Sequence, residues 1–290
     1  GGKVLNLEEL KYIKETPKEE QISLKLYADF YNKEIANRIY EICLDNKVKL
    51  QLNITPSNFA HLIGLHKFLD LNNANIYLHN IVNLKNFQGY LNIMKDNISI
   101  KDLQSVINKN GNNQYNLYKS RILSLPFTYQ LIRNSQFLEF DKSNIKNTDI
   151  KANYMFVDNV DKKKLHLLLK SNSGILYPVS FISRKENDDY YVKNQNIFNI
   201  EKIVIKDFRT KNLIEIIYPN GQAKEEIAAT LDKTKDIVLS KSQMNYVKRR
   251  GVNFITEIEL EEFNNYKLTY SDKDQIKIMS ALRQYKDRER

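Results

Sequence analysis

Two of the chain's four histidines, His61 and His66, fall inside Phe59-Ala60-His61-Leu62-Ile63-Gly64-Leu65-His66-Lys67-Phe68-Leu69, an apolar, helix-like run with a glycine between them. An imidazole with an ordinary pKa of about 6.5 can take or give a proton near neutral pH. A histidine held in a basic, histidine-poor chain is therefore a candidate general base or acid. At about 100° per residue, His61 shares a helix face with Gly64, Leu65 and Phe68, whereas His66 shares another with Phe59, Leu62 and Ile63. The two rings are expected to point differently. Gly64 removes a side chain where another group could approach closely. For His66 the plainer expectation is an interior histidine bonded to a carbonyl; for His61 a structural and a chemical role both stay open.

Other candidate chemistries have weaker patterns. Asp188 and Asp189 adjoin a turn, where paired aspartates are ordinary solvated residues, and no histidine spacing matches a zinc-binding helix. No metal is expected, and with no phosphate-cradling glycine loop no cofactor is expected either. Cys43 sits on an apolar helical side with no adjacent histidine, which reads as a buried structural thiol. His166 alternates with Leu165 and Leu167, so an outward or structural histidine is expected. The 18 tyrosines and 13 phenylalanines are interleaved with lysines. Their faces can stack unpaired bases, although most should be core residues. Lys248-Arg249-Arg250 can contact phosphates, with a solvated helix end as the plainer reading.

Composition narrows the class. A chain of 290 residues with 42% hydrophobic content and no long apolar run reads as soluble globular, with no membrane partner. Lys and Arg number 45 against 35 Asp and Glu, giving +10 and a pI near 9.3. That balance favours a polyanion, with nucleic acid first. One cysteine excludes an internal disulfide framework, and no charged-then-apolar leader precedes the first helix, so a cytoplasmic setting is expected. The richness in Lys, Asn, Ile and Tyr resembles proteins of AT-rich bacterial genomes or their mobile elements.

The positioning elements follow from periodicity. Apolar residues from Ile22 through Cys43 predict one long amphipathic helix over 19–46, and alternation over 47–53 predicts a strand. Thr55-Pro56-Ser57 ends that strand, with Ser57 or Thr55 able to cap a helix over 58–71. Further helices are predicted at 81–95, at 100–109 behind a Ser99–Asp102 capping box, and at 115–134 with a kink or split at Pro126. Strands are predicted at 151–157, 164–169, 175–183, 190–193 and 200–205, joined as an antiparallel meander. The fold class is therefore α+β, a helical N-terminal half packed on an antiparallel sheet over 1–210. A smaller α+β region over 211–290 holds a strand at 213–218 and helices at 223–231, from Ser242, and at 271–288.

Several segments occur in a telling order: Phe59 to Lys67, Lys119-Ser120-Arg121-Ile122, Lys151-Ala152-Asn153-Tyr154, Leu165-His166-Leu167-Leu168-Leu169, Tyr177-Pro178-Val179-Ser180-Phe181, then Tyr190-Tyr191-Val192 and Gln195. Over about 24–205 this order resembles the fourth group of the phage barnase/EndoU/colicin/RelE-like nucleases. The resemblance implies a metal-independent ribonuclease of phage or mobile-element type, with a site of scattered polar residues. Matching the motifs nominates His61, Arg121 and Ser180 as catalytic, with Gln195, Lys151, Lys119 and His66 as substrate contacts. Relatives often carry Thr where this chain has Ile63, so a hydroxyl near His61 is missing.

Metal-free RNA cleavage needs a base for the 2′-hydroxyl proton, cations for the phosphorane and an acid for the leaving oxygen. His61 suits base or acid, Arg121 can grip two phosphate oxygens, and Ser180 or Gln195 can bond a non-bridging oxygen. The bland alternatives are a solvated helix arginine, a hydroxyl satisfying nearby backbone, and a turn glutamine. The expected function is an endoribonuclease acting on structured RNA, with tRNA first because related toxin folds attack translation. A neutralising or regulatory protein is a further expected partner. The alternatives are a non-catalytic nucleic-acid-binding or replication-associated protein and a protein-interaction module in phage defence or counter-defence.

Overall fold

The structure, a computed structural model, describes residues 3–68, 85–108, 110–219, 234–259, 265–271 and 274–289. The chain divides into two compact units, 1–220 and 221–290. In the first, helices α1 (Leu7–Lys11) and α2 (Leu24–Glu34) lead into strands β1 (Arg38–Leu44) and β2 (Lys49–Ile54). Helices α3 (Asn58–Leu62), α4 (Asn86–Met94), α5 (Ile100–Gln104), α6 (Gln114–Leu123) and α7 (Thr128–Asn134) come next. Strands β3 (Gln136–Glu139), β4 (Tyr154–Val160), β5 (Lys163–Asn172), β6 (Ile175–Lys185), β7 (Ile197–Phe198), β8 (Ile200–Asp207) and β9 (Leu213–Ile217) complete it. The nine strands form one sheet in the order β7-β3-β4-β5-β6-β2-β1-β8-β9. Every neighbouring pair is antiparallel except β2 with β6. The fold is thus mixed α+β, with an antiparallel-rich sheet whose main core is shared with the helices.

The single helix expected over 19–46 is two elements. Ser23 Oγ accepts from the Leu26 amide to start α2, which ends at Glu34. Asn37, at φ +58°, turns the chain into β1. Ile39 and Cys43 are buried as well as Tyr40, Ile42 and Leu44, so β1 is apolar on both faces. A strand buried on both sides reads as a continuous hydrophobic run, and Ile35, Ile39, Ile42 and Cys43 happen to satisfy helical spacing. The N-terminal half is therefore not wholly helical, because it supplies two central strands of the sheet. Cys43 is a buried free thiol.

Pro126 splits the predicted long helix, with a 3₁₀ turn at Leu125–Phe127 between α6 and α7. The Ser99–Asp102 capping box forms, although α5 stops at Gln104. Tyr190–Lys193 is a run of turns rather than a strand, with the Tyr190 amide bonded to Asp188 Oδ1 at 3.0 Å. Asp188 and Asp189 are tied to Arg184 and Lys164 as ordinary ion pairs. Strand β9 hydrogen-bonds to β8 as an edge of the large sheet. No helix among the described residues is long and apolar enough to cross a membrane.

His166, on β5, is 0% exposed, and among the described residues neither ring nitrogen has a hydrogen-bond partner. Burial is the main reason its pKa falls to about 4, with the Ile182 backbone beside it pulling the other way. Its folded pKa thus lies below the unfolded value near 6.5, so the unfolded chain binds more protons between the two. The stabilising contribution is complete above pH 6.5 and is lost as pH falls towards about 4, amounting to roughly 3 kcal/mol at full development. His166→Leu should flatten that acid slope. Urea midpoints for both proteins across this pH range would contradict the reading if the two slopes matched.

In the second unit, β10 (Thr234–Ser240), α8 (Lys241–Lys248), β11 (Thr256–Glu259), β12 (Asn265–Ser271) and α9 (Gln275–Glu289) form a three-stranded antiparallel sheet, order β10-β12-β11, with two helices. Its own core includes Leu239, Met244, Val247, Val252, Leu268 and Ile278. Ser240, rather than Ser242, caps α8 in a box with Gln243. Lys248 pairs with Glu257 at 2.6 Å, and Arg250 lies 4.4 Å over the Tyr246 ring. The helix expected at 223–231 lies outside the described residues.

Candidate functional site

Strand β6 pairs with β5 along its length but with β2 only at Ile175 and Leu176. The helices α3 and α6 also pack against it, Ser120 of α6 meeting Ser183. In the β5 register Leu168 faces Ser180 and Leu169 faces Pro178, which makes Val179 an extra, unpaired residue. Pro178 has no amide to give to a ladder, and a bulge is where a proline fits inside a sheet. The bulge breaks alternation, so Tyr177, Val179 and Ser180 all line one open cleft of about 490 Å³.

The other wall is built around Gly64. Thr55-Pro56-Ser57 does turn the chain into α3, but Ser57 makes no capping bond. Instead Asn58 Oδ1 accepts from the Thr55 amide at 2.9 Å and its hydroxyl at 3.0 Å. The helix stops after Leu62, Gly64 adopts φ +76°, and Leu65–Lys67 continues as a 3₁₀ turn. That break overturns the continuous helix expected over 58–71, and with it the diverging histidines. The His61 and His66 rings stack with centroids 4.6 Å apart and planes 7° from parallel.

Arg121, on α6, reaches across to this break. Its Nε donates to the Leu62 carbonyl and Nη2 to the His61 carbonyl at 2.9 Å, the latter also accepting from the Gly64 amide at 2.9 Å, so the guanidinium caps the end of α3. A Cβ on Gly64 would lie 3.1 Å from Tyr118 Cδ1 and 3.5 Å from Arg121 Cζ. The group that approaches Gly64 closely is thus α6 itself. Gly64→Ala combines left-handed strain of about 1–2 kcal/mol with this clash. It should lower the urea midpoint accordingly and weaken cleft-dependent activity more than Gly174→Ala, whose Cβ would meet nothing within 4 Å. Equal losses in the two variants would contradict the docking role.

Cations dominate the cleft. Among the described residues Lys67, Arg121, Lys151 and Lys170 line it with one carboxylate, that of Asp149. Partial burial lowers the His61 pKa, a contact with the Val179 backbone opposes this, and the positive charge of Arg121 and Lys67 adds to the lowering. His66 falls to about 4, first through burial and then through its neighbour His61. Both shifts favour the neutral imidazole. Burial lowers Arg121 to about 10, which leaves it a cation at that pH. His66 Nδ1 is buried without a partner among the described residues, so the expected carbonyl bond is not made there.

Five of the seven nominated residues, His61, His66, Arg121, Lys151 and Ser180, come together in this cleft. Gln195 does not: its side chain clamps the Asp141 backbone, accepting from the amide at 2.8 Å and donating to the carbonyl at 3.1 Å. Lys119 is turned to an ion pair with Glu19 in a separate hollow. Ile63 is fully buried in the main core, so its position faces away from the cleft. Lys67, Asp149, Lys170 and Tyr177 were not nominated from sequence. Lys67 and Tyr177 lie inside the ordered motifs, and Asp149 and Lys170 lie within two residues of them. Among the described residues no group of three or more His, Cys, Asp or Glu could hold a metal ion.

The chain is 27% identical over 192 residues to the uncharacterized killer plasmid pGKl-2 protein 3 of Kluyveromyces lactis. The match covers 62% of this chain but only 30% of that protein, so the chain spans about a third of its relative's length. No solved structure matches. The sequence profile of the phage-Barnase-EndoU-ColicinE5/D-RelE like nuclease4 family matches residues 23–249, and the chain belongs to that family.

Proposed function

We propose that the protein is a metal-independent endoribonuclease that cleaves structured RNA, tRNA-like molecules first, by attack of the 2′-hydroxyl on the adjacent phosphate. The observation that carries this reading is the convergence of a neutral His61, a cationic Arg121 and the Ser180 hydroxyl on one positively lined cleft. His61 takes the proton of the 2′-hydroxyl as the new oxygen–phosphorus bond forms. Ser180 donates to a non-bridging oxygen, and Arg121 with the lysines stabilises the added negative charge of the phosphorane. The bond to the 5′-oxygen then breaks, with a proton supplied by the Lys151 or Lys170 ammonium. The products are a 2′,3′-cyclic phosphate and a 5′-hydroxyl. The chain's own cations meet the phosphate, so no step is routed through an ion.

The killer-plasmid relative and the family's nuclease character support a toxin-like setting, in which a neutralising protein would bind the enzyme. The test is incubation of the purified protein with total RNA in chelator, followed by mapping of the new ends. Discrete cuts bearing cyclic phosphates are expected, in tRNA above other species. Cleavage abolished by chelation, or ends carrying 5′-phosphates, would contradict the mechanism. RNA retained on the protein in a salt-sensitive way but never cut would favour a binding protein instead.

A further inference from the structure

The elements that carry Arg121 and Ser180 into the cleft also line a second hollow, of about 670 Å³, through Ser120 and Ser183. Those two hydroxyls lie 2.8 Å apart, and either can rotate to donate outward. Ser183 is three residues beyond Ser180 on β6, roughly 10 Å along a strand. The remaining lining is Lys162, Lys163, Arg184, Lys185 and Asp188. Asp188 is taken by Arg184 at 2.6 Å. Lys163 is half-buried and donates to the Thr16 hydroxyl at 2.7 Å. Lys162 and Lys185 are exposed and make no ion pair among the described residues. Asp161 faces Lys162 and Lys163 from the adjoining turn, so the four cations of the hollow still outnumber the two carboxylates against them, Asp161 and Asp188.

Among the described residues no apolar or aromatic side chain lines this hollow. That speaks against a protein partner, whose anchors are characteristically aromatic or apolar, and against a small-molecule pocket, whose walls are mostly apolar. Lysines and hydroxyls without a base-stacking ring are the chemistry of backbone phosphate contacts, which position a strand without reading its sequence. Resting on the ribonuclease reading above, we propose that this hollow holds the sugar-phosphate backbone of the same RNA strand, a few nucleotides from the phosphate in the cleft. It would give the enzyme a preference for substrates long enough to fill both.

The test compares wild type with the double variant Lys162→Asn, Lys185→Gln; asparagine suits the φ of +58° at position 162. Binding is measured against salt for oligoribonucleotides of about 4 and about 12 nucleotides. For the longer strand, the slope of log K against log salt should fall by about 1.4, the loss of two single-strand phosphate contacts. KM should rise several-fold with kcat unchanged, while the short strand is bound and cut as before. An unchanged slope for the longer strand, or an equal loss for both strands, overturns the proposal while wild-type cleavage keeps the ribonuclease reading. If wild type neither binds nor cuts RNA, both readings fall. Competition by an acidic polypeptide that is lost in the variant, with RNA binding unmoved, would reassign the hollow to a protein partner.

Discussion

His61→Gln should slow RNA cleavage by about 10²- to 10⁴-fold while leaving the protein folded, the range typical of a positioned proton-transfer group. The expectation of an intact fold has a structural basis. The His61 side chain opens onto the cleft, and Arg121 holds α3 to α6 through the His61 and Leu62 carbonyls, which any substitution at position 61 retains. The ring stacks on His66 but is not part of the main core. The pH dependence separates base from acid. Partial burial and the surrounding cations hold the His61 pKa below its ordinary 6.5, so a base role gives a rate that is full at neutral pH and falls as pH drops below that value. An acid role would give the opposite, a rate that falls as pH rises through the same point and leaves little activity at pH 7. A steady-state profile of wild type from pH 4.5 to 8, with the single-turnover rate of His61→Gln at pH 7, decides the matter. An acidic limb that survives in the variant would remove His61 from the mechanism.

The sequence reached the cleft more readily than it reached the fold around it. The order of short motifs pointed to His61, Arg121, Lys151 and Ser180, which the structure brings to one cleft. Gln195 and Lys119, nominated from the same motifs, lie away from that cleft. Each is a polar residue whose partner, the Asp141 backbone or Glu19, is distant in sequence and invisible to spacing. Periodicity failed where burial is two-sided, as in β1, and where a single left-handed residue redirects the chain, as Gly64 does between the histidines. A helical wheel placed His61 and His66 apart because it assumed continuity through that glycine. The short strands β3 and β7 were also missed, since four and two residues carry too little pattern to register. Pro126 and the Ser99–Asp102 box were legible because their effects are local to the backbone.

Arg121→Ala should reduce both catalysis and stability, and the two losses come from different atoms of one guanidinium. Nε and Nη2 are bonded to the Leu62 and His61 carbonyls, and losing charge-assisted hydrogen bonds of this kind weakens the fold by about 2–3 kcal/mol. The delocalised charge lines the cleft, and under the proposed mechanism, where it meets the substrate phosphate, removal of such a transition-state donor typically lowers the rate about 10²- to 10³-fold. Arg121→Lys isolates the two. Its ammonium restores a positive charge but lacks the planar fork that spans both carbonyls, so stability should stay depressed while part of the rate returns. Urea unfolding alongside single-turnover cleavage reads both quantities from the same preparations. Full activity in a folded Arg121→Ala would make the residue a strut between α3 and α6 with no part in the chemistry. Equal activity of the Lys and Ala variants would place the rate loss in the geometry of His61 rather than in charge. Recovery of the lysine variant, in step with neither its stability nor the alanine variant's rate, is what a guanidinium acting on both walls and substrate requires.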